Sequence, residues 1–398
     1  MRLLFVAGLV LVLIGASPAP SPSSSPIELA QSRIDAMLRT DHADPAWFSA
    51  SFLTEIPASK VDEVIASLIK TLGAYQRVEY TPEKFIAHFA KGTDDVLIHL
   101  DADYKIDGLL FKPPVITASS LDDALRPLAR QSGTLSYVIV EEGRSELAAL
   151  NASAPLAVGS AFKLAVLNGL LDQIHRGSRH WRDVVPLNAR WKSLPSGILR
   201  DWPDGTPLTL ATYAAEMISI SDNTAADALV RIVGAQALKP YAGGNDPFLT
   251  TREAFIMKSD RRAELRAAYL AAVTPSARAA VLQHVEALPL PDVAQISSRP
   301  QLAIEWHYSV RELCNLLRRV ADLPLMSINP GVADPSKFRH VAFKGGSDAG
   351  VINLTMMVTT RRGTKICFSA TLNNSARAVD QSSFEIAYSA VLSYLELR

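Results

Sequence analysis

Residues 160–171 read SAFKLAVLNGLL, a stretch with almost no polar face. A helix that is apolar all round is a buried helix. Lys163 therefore enters a core, where an ammonium is costly unless it is paired or neutral. Ser160 and Lys163 stand at i and i+3, about one turn apart on a shared face. A desolvated lysine has a lowered pKa and can take the proton of a neighbouring serine, while a helix N-terminus favours negative charge there. The competing structural role is a Ser160 that only caps the helix, with Lys163 reaching outward to solvent. Ser-x-x-Lys is weak by itself. Ser67-Leu68-Ile69-Lys70 repeats it in what reads as the solvated edge of an amphipathic helix.

Two more patterns follow downstream. Ser221-Asp222-Asn223 comes after the helical run Tyr213–Ile218. These residue types are favoured in turns and helix caps, and Ser327-Ile328-Asn329 shows that Ser-x-Asn also arises without chemistry. Lys344-Gly345-Gly346 closes the strand-like HVAFK. It is either a lysine beside a tight glycine turn or a strand edge on which substrate backbone lies near a positive charge.

In this order and separation the three patterns are specific. SAFK at 160, SDN at 221 and KGG at 344 resemble the S-x-x-K, S-D-N and K-[TS]-G set of class A β-lactamases and penicillin-binding serine hydrolases. The 61-residue step from Ser160 to Ser221 and the continuation SDNTAADALV are also typical of that family. The resemblance implies Ser160 as the acylated nucleophile and Lys163 as its proton acceptor. It implies Ser221 as relay to the leaving group, and Asn223 as holder of a substrate amide and of Lys163. Lys344 would meet a substrate carboxylate and polarise Ser221. Gly346 and Ser347 would line the substrate site, the N–H groups of Ser160 and Ser347 forming an oxyanion hole.

Two departures from the family pattern stand out. Lys-Gly-Gly lacks the usual hydroxyl after the lysine, for which Ser347 would compensate. The family's loop glutamate, which activates the deacylating water, has no counterpart between SDNTAADALVRIVGAQALKPYAGG and NDPFLTTREAF. The nearest acid, Glu253 in Thr250-Thr251-Arg252-Glu253, reads as part of a capping box. DADYKIDGLLFKPP (101–114), PSGILRDWPDGTPLTL (195–210), NDPFLTTRE (245–253) and FKGGSDAGVINLT (343–355) further resemble one branch of the family. That branch carries an NTF2-like domain ahead of a glutamate-poor catalytic domain. It includes actinobacterial lipoproteins and a protein of clavulanic acid biosynthesis, and some of its members are esterases.

Outward from these motifs, strand-like runs at Leu135–Val140 and Leu147–Leu150 and again at His340–Lys344, Val351–Thr359 and Ile366–Leu372 bracket a mostly helical middle. Helices are expected at Leu121–Ala129 and Asp380–Leu397. Ahead of Pro113-Pro114, helical periodicity over Ile27–Arg39 and Lys60–Leu72 (Val61, Val64, Ile65, Leu68 and Ile69 on one face) precedes four strand-like runs. These are Tyr75–Tyr80, Lys84–Phe89, Val96–Leu100 and Ile106–Phe111, the last two joined by a turn at Asp101–Tyr104. Core packing is the expected use of Tyr75, Tyr80, Phe85 and Phe89. The expected fold class is α+β. A β-lactamase/transpeptidase-like domain, an antiparallel sheet flanked by helices, spans 118–398, and a small NTF2-like α+β domain spans 27–114.

Arg2, the twelve-residue apolar run Leu3–Ile14 and Gly15-Ala16 read as a signal peptide over 1–16, and the Pro/Ser tract as a linker over 17–26. The run is too short to stay as an anchor, and no lipidation cysteine follows it. The expected location is secreted or periplasmic. Lys+Arg and Asp+Glu balance at 40 each, which argues against a nucleic-acid partner. Cys314 and Cys367 read as buried small hydrophobes, although an export compartment permits a bridge. No CxxC or His/Cys/carboxylate cluster suggests a metal, and no cofactor is expected. The expected partner is a small-molecule or peptidoglycan-like acyl substrate, a β-lactam, an ester or a D-Ala-type amide. The expected activity is that of β-lactamase, esterase or D,D-peptidase. The alternative is a sensor that is acylated and turns over little.

Overall fold

The computed structural model describes residues 25–112, 114–144 and 146–398. The signal peptide and most of the linker expected from the sequence lie outside the described residues. The chain divides after Lys112 into two compact units.

In the first unit, α1 (Pro26–Thr40) opens with a capping box in which Ser25 and Glu28 satisfy each other's backbone N–H groups. Residues 25 and 26 are therefore helix cap and first turn rather than linker. After the short α2 (Ala50–Glu55), which the sequence pattern does not signal, α3 (Ala58–Leu72) buries Val61, Ile65, Leu68 and Leu72. That spacing leaves Val64 exposed, against the expectation that it shares the buried face. Ser67 and Lys70 are exposed, as read. Four strands follow as an antiparallel meander: β1 (Tyr75–Thr81), β2 (Lys84–Phe89), β3 (Gly92–Leu100) and β4 (Ile106–Phe111). The β3–β4 turn is built by Asp101, whose carboxylate accepts from the N–H groups of Asp103 and Lys105 at 2.9 and 2.7 Å. Phe85 and Phe89 are buried, while Tyr80 is largely exposed.

The second unit is organised by a five-stranded antiparallel sheet. Its strands are β5 (Thr134–Glu141), β6 (Glu146–Leu150), β7 (His340–Asp348), β8 (Val351–Thr359) and β9 (Lys365–Asn373), in spatial order β7-β8-β9-β5-β6. The two ends of the unit thus complete one sheet. Alternate side chains point to opposite faces. On one face Ile139, Met356 and Phe368 meet Leu125 and Leu128 of α4 (Leu121–Ala129) and Phe384 and Tyr388 of a C-terminal helix, Gln381–Glu396. On the other face Val138, Ala342 and Met357 meet the helical middle of the chain.

At the centre of that middle layer runs α5 (Lys163–His175), whose residues 163–171 are all buried. Full burial of a leucine contributes about 1.5–3 kcal/mol, so Leu164, Leu167 and Leu170 together offset the burial of one amine in the first turn. Around it stand α6 (Leu210–Ser219), α7 (Asn223–Val233), α8 (Thr251–Lys258) and α9 (Val310–Val320). Cys314 on α9 and Cys367 on β9 form a disulfide, with Cα atoms 5.9 Å apart. This corrects the reading of two independent buried thiols. Each cysteine does lie in an apolar layer, but the helix packs its cysteine directly onto that of the strand. Among the described residues no helix is long and apolar enough to cross a membrane.

Candidate active site

Ser160 lies in a 3-10 turn, Gly159–Phe162, that feeds straight into α5, so the regular helix begins at Lys163 rather than at the serine. The strand β7 passes hard against this turn. A Cβ on Gly346 would sit 2.2 Å from the Val158 carbonyl oxygen and 2.4 Å from Ser160 N, and one on Gly159 would sit 2.9 Å from Ser347 N. Only glycine permits that approach, and Gly159 also has φ +51°. The backbone nitrogens of Ser160 and Ser347 are thereby brought to one spot. Gly346 is needed for contact between β7 and the serine turn, a role beyond the expected substrate-facing glycine.

Lys163 is completely buried, and its ammonium does not reach solvent. Its Nζ lies 3.2 Å from Ser160 Oγ, 3.0 Å from Ser221 Oγ, 2.5 Å from the Ser221 carbonyl oxygen and 2.7 Å from Asn223 Oδ1. Burial, and next the nearby charge of Lys344, push its pKa well below the ordinary lysine value. A neutral amine has two N–H donors and one lone pair. The Ser221 carbonyl and Asn223 Oδ1 take the donors, which leaves the lone pair for the serine hydroxyls.

The S-D-N segment is shaped to provide these partners. Ser221 adopts φ +58°, an uncommon conformation for a residue with a side chain. Asp222 caps α7 through Ala225 N at 2.8 Å and also accepts from the N–H groups of Ile198 and Leu199 at 2.7 and 2.8 Å. Asn223 Nδ2 donates to the Leu194 carbonyl at 3.1 Å, which orients Oδ1 toward Lys163. From β7, Lys344 Nζ donates to Ser221 Oγ at 3.1 Å and to the Gly345 carbonyl at 2.5 Å. Burial lowers the Lys344 pKa to about 7.

All seven residues singled out from the sequence thus converge, drawn from the 3-10 turn and the first residue of α5, the end of the loop before α7 and the first residue of that helix, and the strand β7. Ser160, Asn223 and Ser347 line one cleft of about 300 Å³, together with Phe162, Phe255 and Trp306. The rings of Phe162 and Trp306 stack with centroids 3.9 Å apart. Glu253 has the structural place read for it: Oε2 accepts from Thr250 N at 2.7 Å, and Oε1 pairs with Arg231 at 3.2 Å.

Three charged residues of the cleft wall, Lys258, Glu305 and Asp348, are missing from the sequence reading. Asp348 follows Ser347 directly and was the most accessible signal. Glu305 arrives from the segment that leads into α9, whereas in the sequence Glu253 stands as the nearest acid. Burial drives Glu305 up to about 7, with the Lys258 charge opposing and the Asp348 carboxyl reinforcing the rise.

The structure is similar to a β-lactamase from Sphaerobacter thermophilus (20% identity, TM-score 0.48, covering 70% of this chain and 97% of that one). It is also similar to PBP-A (15%, 0.47, 71% and 98%) and to a β-lactamase from Chitinophaga pinensis (16%, 0.47, 69% and 98%). No curated protein matches the chain. Through residues 118–287, which carry Ser160, Lys163, Ser221 and Asn223, the chain matches the beta-lactamase enzyme family.

Proposed function

We propose that this protein is an exported serine hydrolase that transfers acyl groups through an acyl-Ser160 intermediate. The observation that carries the reading is the buried, depressed Lys163 amine 3.2 Å from Ser160 Oγ. Neutral Lys163 accepts the Ser160 proton as Oγ attacks the substrate carbonyl. The developing oxyanion is held by the N–H groups of Ser160 and Ser347. The proton then passes from Lys163 to Ser221 and on to the leaving nitrogen or oxygen, with Lys344 polarising Ser221 and meeting a substrate carboxylate. Ester, β-lactam and D-Ala-type amide all suit this sequence of steps, and none requires a cofactor.

The Cys314–Cys367 bridge supports the proposed export, since such bonds persist in oxidising compartments. The first unit, helices followed by an antiparallel meander, is compatible with the proposed NTF2-like domain. A second reading, a sensor acylated with little turnover, is favoured by one observation. The two carboxylates lining the cleft, Glu305 and Asp348, are both engaged by Lys258.

Intact-mass spectrometry after incubation with benzylpenicillin and with a short-chain aryl ester tests the proposal. A covalent adduct mapping to Ser160 is expected. Absence of any adduct, together with no ester turnover, rules it out. Export is tested by N-terminal sequencing of protein from its native host, where a start between residues 16 and 27 is expected and an intact Met1 is not.

A further inference from the structure

The cleft has a second charged wall that the acyl-transfer steps leave unused. Lys258 ends α8, Glu305 precedes Trp306, and Asp348 follows Ser347 at the end of β7. Lys258 Nζ meets both acids, at Glu305 Oε1 and Asp348 Oδ2. Lys258 and Glu305 are buried, whereas the Asp348 side chain keeps 27% of its surface open.

Two carboxylates face one ammonium, so above about pH 7, where Glu305 gives up the proton it shares with Asp348, the cluster carries one uncompensated negative charge in a site largely closed to water. Asp348 Oδ1 accepts from Ala349 N at 2.7 Å. Glu305 Oε2 is buried and accepts from no donor among the described residues. The two carboxyl groups lie against each other, and Lys258, working against burial, holds Asp348 below the usual carboxylate range. A buried excess acid with a vacant acceptor calls for one more cationic donor. Ser221 and Lys344 serve the leaving group, so a donor arriving with substrate at the Ser347–Asp348 end belongs to the acyl part. The half-buried ring of Phe255 lines the same cleft and can cover an apolar spacer.

We propose that Asp348, backed by Glu305, recognises a protonated amine on the acyl group of the substrate. This rests on the acyl-Ser160 reading and narrows its substrate class to cationic acyl donors.

The test compares two penicillins that differ in one group, a phenylacetyl side chain carrying aminomethyl against the same side chain carrying methyl. Second-order rates of adduct formation on Ser160 are read by intact mass at pH 8 in the full-length protein, in Asp348→Asn and in Glu305→Gln. The amine is expected to acylate about tenfold faster in the unaltered protein, the scale of one charge-assisted contact. That ratio should fall toward one in both variants, and Glu305→Gln decides alone if Asp348→Asn does not fold. Equal rates in the unaltered protein overturn the proposal while leaving acyl-Ser160 in place, as does a preference that survives both substitutions. No adduct from either penicillin instead removes the acyl-Ser160 reading, and this inference with it.

Discussion

Lys163 Nζ stands 3.2 Å from Ser160 Oγ with no water-accessible surface of its own. The lysine is held from four directions, so neither partner can drift without breaking the other's contacts. Residues acting as such a unit lose function together rather than in shares. Ser160→Ala and Lys163→Ala are each expected to remove acylation by a fluorescent penicillin almost completely, the lysine change costing at least the roughly 10²–10⁴-fold of a general base. Ser67→Ala, in the exposed repeat of the motif, should label normally. Full-rate labelling of Ser160→Ala would refute the assignment.

Gly346 offers a purely steric test. A methyl group there meets Val158 O at 2.2 Å and Ser160 N at 2.4 Å, all backbone that cannot swing aside. Gly346→Ala should push β7 away from the serine turn and separate the two oxyanion N–H groups. Loss of one such donor typically costs about 10²–10³ in kcat, and overpacking costs about 1–3 kcal/mol of stability. Acylation rates and a denaturant melt measured side by side check both. An alanine variant with unchanged acylation would show that this approach does not set the oxyanion site.

The fold and much of this site could be read from the sequence because the strongest signals were local. An apolar helix around Lys163, glycines beside Lys344 and a capping box at Thr250–Glu253 each state their physics within a few residues. Lys258, Glu305 and Asp348 carry no such signal, since Lys258 and Glu305 are 47 residues apart and their pairing exists only after folding. The same holds for Cys314 and Cys367, separated by 53 residues. Val64 was misplaced for a different reason: an apolar residue one position off the 61-65-68-72 stripe looks the same in sequence as one on it.

The disulfide joins α9 to β9 across the core and closes a 53-residue span. Such a link stabilises by about 2–4 kcal/mol, largely through the unfolded chain. Cys314→Ala with Cys367→Ala is therefore expected to lower the denaturant midpoint clearly. The acylation rate of the folded fraction should stay close to normal, because neither sulfur lines the cleft. An unchanged midpoint would mean that the bond adds nothing to stability.

Lys344 and Lys163 should separate anionic from neutral substrates by pH. Lys344, lowered to about 7 by burial, carries its positive charge below that value and loses it as pH rises. Lys163 must be neutral to take a proton, so acidification through its depressed pKa slows acylation by any substrate. A penicillin, whose carboxylate needs charged Lys344, should show kcat/KM falling on both sides. A neutral short-chain ester should fall on the acid side and only weakly on the alkaline side, where it loses the polarisation of Ser221 by Lys344 but no carboxylate contact. Because the two amines interact, the limbs report apparent values of the pair. An alkaline limb equally steep for both substrates would remove Lys344 from carboxylate recognition.

Deacylation is expected to be the slow step with a β-lactam. Hydrolysis of an acyl-serine needs a water held and deprotonated near the carbonyl, and a positioned base is worth roughly 10²–10⁴-fold. Glu253 is committed to its helix cap and to Arg231, while Glu305 and Asp348 are drawn to Lys258. Lys163 is left as the base, and it must reach a water past the acyl group that now fills the cleft. The bulky ring left by a β-lactam shields that carbonyl, whereas a short ester leaves a small group that water can approach. Benzylpenicillin should therefore give a burst and a persistent mass adduct on Ser160, with the short ester turning over faster. Sustained penicillin hydrolysis without adduct build-up would show that one of these engaged carboxylates breaks free to act. Glu305 is then the first to test, since it lines the cleft and needs only to part from Lys258.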